Sequence, residues 1–146
     1  LMISRFWANQ SHIKSLYTDC IEPVCQKYRL TRMELDILLF LANNPQFTTA
    51  TEIIENRRLT KSHVSLAVNT LAEKGYLMKN KSAQNRKTVH LSLCSSADLI
   101  IQDGQAAQKS FASILFHGFT PEDYQQLLRF FERINQNVKD YTDGGI

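Results

Sequence analysis

Ser62, His63, Ser65, Leu66 and Asn69 offer donors, acceptors and one apolar surface within eight consecutive positions. Such a set is suited to reading the edges of bases. An asparagine can bond adenine through two hydrogen bonds, and Leu66 could meet a thymine methyl. His63 is equally suited to touching a phosphate or ending a turn. Lys61, Lys79, Lys81 and Lys87 stand around them, and their ammonium groups fit phosphates, which set affinity and register without sequence information. Arg57 and Arg58 fit the same role or a solvated turn. The plain alternative is a polar solvent face with Leu66 as a scattered exposed residue.

Charge separates these two readings. From Arg57 to Lys87 there are eight cationic residues against Glu73 alone, which gives +7 in a chain of net charge +3, so the remainder carries −4. A solvated surface mixes both signs, whereas segregated positive charge around a candidate reading helix is the footprint of a phosphate-binding surface.

The elements that must hold these residues are legible in pattern. Thr60 is placed to cap a helix, along which Val64, Ala67, Val68 and Leu71 form one apolar stripe. Ser62, Leu66, Asn69 and Glu73 fall on the opposite face. Gly75 ends the helix, where a left-handed residue carries no steric cost. Strands are expected at 77–80 and 88–93, the second alternating Val89, Leu91 and Leu93 with polar residues. The basic loop 81–87 lies between them. A polar-faced helix followed by a hairpin with a basic tip is a winged helix-turn-helix pattern.

Upstream, Thr31-Arg32-Met33-Glu34 is a capping box opening a helix that ends at Asn43-Asn44-Pro45, with Met33, Ile37, Leu38 and Leu41 toward the core and Leu35, Leu39 and Phe40 widening the apolar arc. A brief strand is expected at 46–48. Thr49-Ala50-Thr51-Glu52 is a second capping box, and its short helix completes the helix-turn-helix unit. A long first helix is expected over 6–28, kinked or split near Glu22 by Pro23. Ser95-Ser96-Ala97-Asp98 has capping logic for a helix to about His117, in which Gly104 marks either a close helix approach or a tolerated cost. Thr120-Pro121-Glu122-Asp123 opens the last helix, where Tyr124, Leu127, Phe131, Ile134, Val138 and Tyr141 keep a four-three rhythm. With Phe6 and Ile13 on the first helix, these apolar faces are expected to build a dimerisation lobe from both ends of the sequence.

The fold expected is mainly α with a small β wing in a single chain, 1–146. A winged helix-turn-helix lobe spans 30–93, and dimerisation helices occupy 1–29 and 94–146. Composition, 43% apolar and 21% charged, matches neither a disordered nor a membrane class. The first residues, LMISRFWANQ, lack the apolar segment of a signal peptide. Cys20, Cys25 and Cys94 show no ligand-like spacing, which fits a reducing cytoplasm. Cys20 and Cys25 lie on different faces of one helix and cannot pair without disrupting it. The histidines at 12, 63, 90 and 117 form no metal motif. With no phosphate loop or nucleophile elbow, neither an enzyme nor a cofactor is expected.

At this point the chain resembles the MarR family of bacterial transcription regulators. The resemblance runs from the Leu30-Thr31 start of the second helix to the terminal helix. It is most specific in LAEKGYL (Leu71 to Leu77), in the wing Asn85-Arg86-Lys87 and in Val89-His90-Leu91-Ser92-Leu93. It implies a homodimer that grips a pseudo-palindromic duplex site with two winged lobes, the helix from Thr60 entering the major groove and Arg86 the minor groove. Narrow A·T tracts would favour that arginine. Asn85 stands where many members carry Asp, and Leu66 where a polar residue is more usual. The family also implies a small-molecule effector, bound where helices one, two and five meet the winged lobe, with Trp7, His12, Tyr17, Tyr28 and Arg32 as candidate lining. Two other readings fit the sequence: redox control through a cysteine, and a winged-helix adaptor that binds protein without reading DNA.

Overall fold

The computed structural model describes residues 1–57, 59–81, 84 and 87–144. Arg58, Asn85 and Arg86, and with them the expected minor-groove contact, lie outside the described residues. The elements are α1 (Met2–Tyr28), α2 (Arg32–Asn43), α3 (Ala50–Arg57), α4 (Lys61–Glu73), β1 (Leu77–Lys81), β2 (Val89–Leu93), a 3-10 turn (Ser95–Ala97), α5 (Asp98–Leu115) and α6 (Pro121–Gly144).

Residues 1–111 form one compact unit. Its core is organised on α2, where Leu35, Ile37, Leu38, Leu39 and Leu41 are all buried. Leu35 and Leu39, expected to widen the apolar arc, lie at its centre. They are buried as fully as Ile37, while Met33 is only half-buried. The reason is that α2 packs against α1, α4 and β2, and Gly104 of α5 also lies against Leu39. A helix surrounded in this way has no solvent face for a periodicity argument to find. Each such buried leucine contributes about 2–3 kcal/mol of burial, so α2 is the support on which α1, α4 and β2 rest.

Two capping boxes form as their sequences require. Thr31 Oγ1 accepts from the Glu34 backbone N–H at 3.1 Å, and the Glu34 carboxylate accepts from the Thr31 N–H at 2.8 Å. Thr49 and Glu52 repeat the exchange at 3.2 and 3.1 Å. At Thr60 the expectation fails: it takes the cap position in an extended conformation, but its side chain makes no capping hydrogen bond. Ser95 to Asp98 also differs, since the chain first makes a 3-10 turn without a side-chain cap, and the Ser96 hydroxyl donates to the Gly75 carbonyl instead.

Pro23 does not split α1, which is helical from Met2 through Tyr28. Ile21, Val24 and Cys25, on both sides of the proline, are buried in the core, and that packing holds the helix together where one backbone hydrogen bond is missing. Leu91 N–H donates to the Thr48 carbonyl at 2.7 Å, and Thr49 bridges His90. The strand expected at 46–48 is thus reduced to one bridge beside β2.

The second unit comprises the residues from Ala112 onward. Phe116 meets Phe119 and Tyr124 edge-to-face at 5.4 and 5.2 Å. Thr120 and Asp123 cap α6 reciprocally at 3.1 and 3.0 Å. Among the described residues of α6 none is buried.

Candidate nucleic-acid interface

Helices α3 and α4 form the helix-turn-helix, and α4 is seated by one stripe. Val64, Ala67, Val68 and Leu71 are buried, whereas Lys61, Ser62, His63, Ser65, Leu66 and Asn69 are exposed. Leu66 keeps 68% of its surface open to solvent. The helix closes at Gly75, φ +81, with Tyr76 N–H on the Leu71 carbonyl and Gly75 N–H on that of Ala72, both at 3.0 Å. This left-handed exit reverses the chain so that β1 packs against α4.

The hairpin pairs antiparallel from Leu77 opposite Leu93 to Lys81 opposite Val89. Leu77 and Leu91 are buried, and Met78, Lys79, Asn80 and Lys81 are exposed. His90 is half-buried, with its Nδ1 at 3.2 Å from the Thr48 hydroxyl. Lys87, beyond the wing loop, is exposed as well.

The structure divides the cations that the sequence treats alike. Lys74 turns back to the corner between α1 and α2, where its Nζ donates to the Arg29 carbonyl at 3.0 Å and lies 3.7 Å from the buried carboxylate of Glu34. Arg57 lies 3.9 Å from Asp36, whose other oxygen is held by Arg32 at 3.1 Å. Lys79 leans from β1 over α4 and donates to the side-chain oxygen of Asn69. These contacts join residues 45, 21 and 10 positions apart and leave no trace in local sequence pattern. Thr60 at the N-cap of α4, Lys61, Ser62, His63, Ser65, Leu66 and Asn69 on α4, Lys79 and Lys81 on β1, and Lys87 are all exposed.

A cavity of about 460 Å³ lies among α1, α2 and the end of α5, lined by Ile13, Lys14, Tyr17, Thr18, Arg32 and Phe111. The Arg32 guanidinium sits 4.6 Å from the Tyr17 ring centroid, and Phe111 meets Tyr17 edge-to-face at 5.0 Å. Of the lining expected from the sequence, Tyr17 and Arg32 are there. Trp7 and His12 are exposed elsewhere on α1, and the Tyr28 hydroxyl is engaged by Asp103 at 2.6 Å. A second groove, of about 560 Å³, follows the flank of α4 past Met33, Leu66 and Ala67.

Cys25 is buried, and burial first, then the nearby Glu22, pushes its thiol above the ordinary value. That is the opposite of what a sensing thiolate needs. Cys20 and Cys94 are half-buried and free. Among the described residues no three His, Cys, Asp or Glu side chains form a metal-sized cluster, and no helix is long and apolar enough to cross a membrane.

Fold and surface together define a winged helix-turn-helix protein. Residues 30–87 match the model of the MarR family. Solved structures agree over nearly the whole length. A Listeria monocytogenes protein assigned to the MarR family and solved with a 26mer DNA aligns over 96% of this chain and 94% of its own, at a TM-score of 0.80 and 15% identity. The MarR protein from Peptoclostridium difficile covers 96% and 89% at 0.77 and 17%. The Staphylococcus aureus MepR–DNA complex covers 92% and 95% at 0.74 and 15%. Identities this low establish the fold alone. No curated protein matches the sequence.

Proposed function

We propose that this chain is a sequence-specific DNA-binding transcription regulator, acting as a homodimer on a pseudo-palindromic duplex site. One observation carries the proposal: α4 buries a single stripe and presents Ser62, His63, Ser65, Leu66 and Asn69 to solvent between Lys61 and the wing lysines. A helix of this kind fits the major groove, which alone distinguishes all four base pairs. With no side-chain cap from Thr60, the N–H groups at the positive end of α4 can receive a phosphate beside Lys61. Lys81 and Lys87 supply further phosphate contacts, and Arg86 is proposed as the minor-groove reader. The solved DNA complexes of similar fold support the same reading.

Two apolar surfaces support dimerisation. On α1, Met2, Ile3, Phe6 and Trp7 are exposed, and on α6 so are Tyr124, Phe131, Ile134, Val138 and Tyr141, with Ile13 and Leu127 half-buried. Apolar stripes of this length on a monomer mark interaction surfaces. The cavity at Tyr17 and Arg32 supports response to a small molecule, with an aromatic wall and one guanidinium to orient it.

Selection of bound sequences from a random duplex pool tests the central proposal. A two-fold symmetric consensus is expected. Retention of the pool without enrichment, or no retention at all, would leave a winged fold that does not read DNA.

A further inference from the structure

The contact between Lys79 and Asn69 has a consequence that neither residue implies alone. Asn69 is exposed in the third turn of α4, on the face that carries Ser62 and Leu66. Its carboxamide can take two orientations related by a half-turn, which exchange the oxygen and the nitrogen. An ammonium group only donates, so a neighbouring lysine accepts one of those orientations and repels the other. The Lys79 ammonium donates to Asn69 Oδ1. Leu77 and Lys79 share one face of β1 because side chains alternate along a strand. Leu77 is buried, so its anchoring directs Lys79 over α4.

Resting on the DNA-reading function above, we propose that Lys79 is a positioning residue for base recognition, holding the Asn69 carboxamide in the orientation that selects adenine. Held in this way, Oδ1 turns toward the wing and keeps one lone pair for the N6 amino group of adenine, while Nδ2 donates to N7. Guanine offers two acceptors in the same groove, and the fixed oxygen opposes one of them. A carboxamide free to turn over presents its NH₂ to either acceptor, and the preference for adenine falls. A lysine serving only as a phosphate contact would do none of this, because phosphate contacts carry no sequence information.

The test uses the full-length protein and the best duplex from pool selection. The base read by Asn69 is the position whose preference disappears in Asn69→Ala. Lys79→Met keeps the length of the side chain and removes the donor. We expect it to lower the adenine-over-guanine ratio at that position by roughly tenfold, within the span of one bidentate contact, with other positions unaffected and the salt slope changed by well under one. Lys79→Arg restores a donor and should keep the ratio. In an Asn69→Ala background, Lys79→Met should remove no further base preference. Equal loss on every duplex in Lys79→Met, with the slope reduced by about one, makes Lys79 a phosphate contact and overturns this proposal alone. Unchanged preference at every position in Asn69→Ala overturns it too, since there would be nothing to position. Failure of the unsubstituted protein to bind duplex overturns both this inference and the function it rests on.

Discussion

Lys61 and Asn69 lie about two turns apart on one exposed helix face, and the chemistry of DNA asks different things of them. On the proposed reading a lysine at the first turn meets the backbone, so Lys61→Ala should weaken binding to all duplexes alike and reduce the salt slope by about one. Asn69→Ala should cost about 1–3 kcal/mol on the best site and little on unrelated sequences. Titrations of both variants against matched and scrambled duplexes at several salt concentrations distinguish the roles, and similar losses on both duplexes for Asn69→Ala would make it a backbone contact. The threonine caps separate in the same manner. Thr49 exchanges hydrogen bonds with Glu52, whereas Thr60 caps nothing with its side chain. Thr49→Ala should therefore lower stability by about 1 kcal/mol, and Thr60→Ala by less than about half of that. Denaturant midpoints measure both, and equal losses would mean that Thr60 does cap α4 in solution.

Among the elements, α5 makes one close approach to α2 and a charged tie to α1, besides the hydrogen bonds that join Gln105 and Gln108 to Asn43 and Tyr17. A Cβ on Gly104 would come within 2.7 Å of Leu39 Cδ2, and Leu39 is too deeply buried to move aside freely. Gly104→Ala gains about 1 kcal/mol of helix propensity but incurs about 1–3 kcal/mol of overpacking, so a net loss in thermal stability is expected; a rise would show that Leu39 can yield. The tie joins α1 to α5 through Asp103, which accepts from Lys27 at 2.8 Å and Tyr28 at 2.6 Å. The Lys27 hydrogen bond first, and then that of Tyr28, holds the Asp103 carboxyl below its ordinary value of 3.8. With a depressed pKa in the folded state, the unfolded chain takes up the proton first as acid is added. The stabilisation is thus present above the ordinary aspartate range and is lost as pH falls through the lower folded value. Lys27 is shifted upward, chiefly by the same carboxylate, and its contribution is lost only in strong alkali. Asp103→Asn should accordingly be less stable than the parent at neutral pH, with the difference closing in acid. A constant difference across the acid range would dissociate the tie from the charge of Asp103.

At the scale of the molecule, α1 and α6 each carry an exposed apolar surface. Phe130, Phe131, Ile134, Val138 and Tyr141 each leave more than 40% of their surface in solvent, far more apolar exposure than an isolated helix face sustains in a soluble monomer. A second copy is the expected cover, related by two-fold symmetry that would match a palindromic duplex. Sedimentation at micromolar concentration should give a dimer, and Phe131→Asp should shift the population toward monomer and weaken binding to a full site more than to a half-site. A stable, folded monomer of the unsubstituted protein would contradict this architecture.

Local chemistry determined much of this protein. The starts of α2 and α3 follow from Thr31 with Glu34 and from Thr49 with Glu52, because a capping box is complete within four residues. The exit at Gly75 needs one residue able to adopt a positive φ, and the seating of α4 follows from the spacing of Val64, Ala67, Val68 and Leu71. Tertiary structure decided what depends on neighbours distant in sequence. Packing on several sides buried Leu35 and Leu39, and core contacts on both sides of Pro23 kept α1 whole. Of the two readings open for Gly104, the position of Leu39 selected the close approach. The direction of each cation was decided at the same level. Lys74, Arg57 and Lys79 contribute equally to the net charge, yet their partners are Arg29 and Glu34, Asp36, and Asn69. Charge is a property of composition, but where a long flexible side chain delivers it depends on which acceptor the folded chain brings within reach.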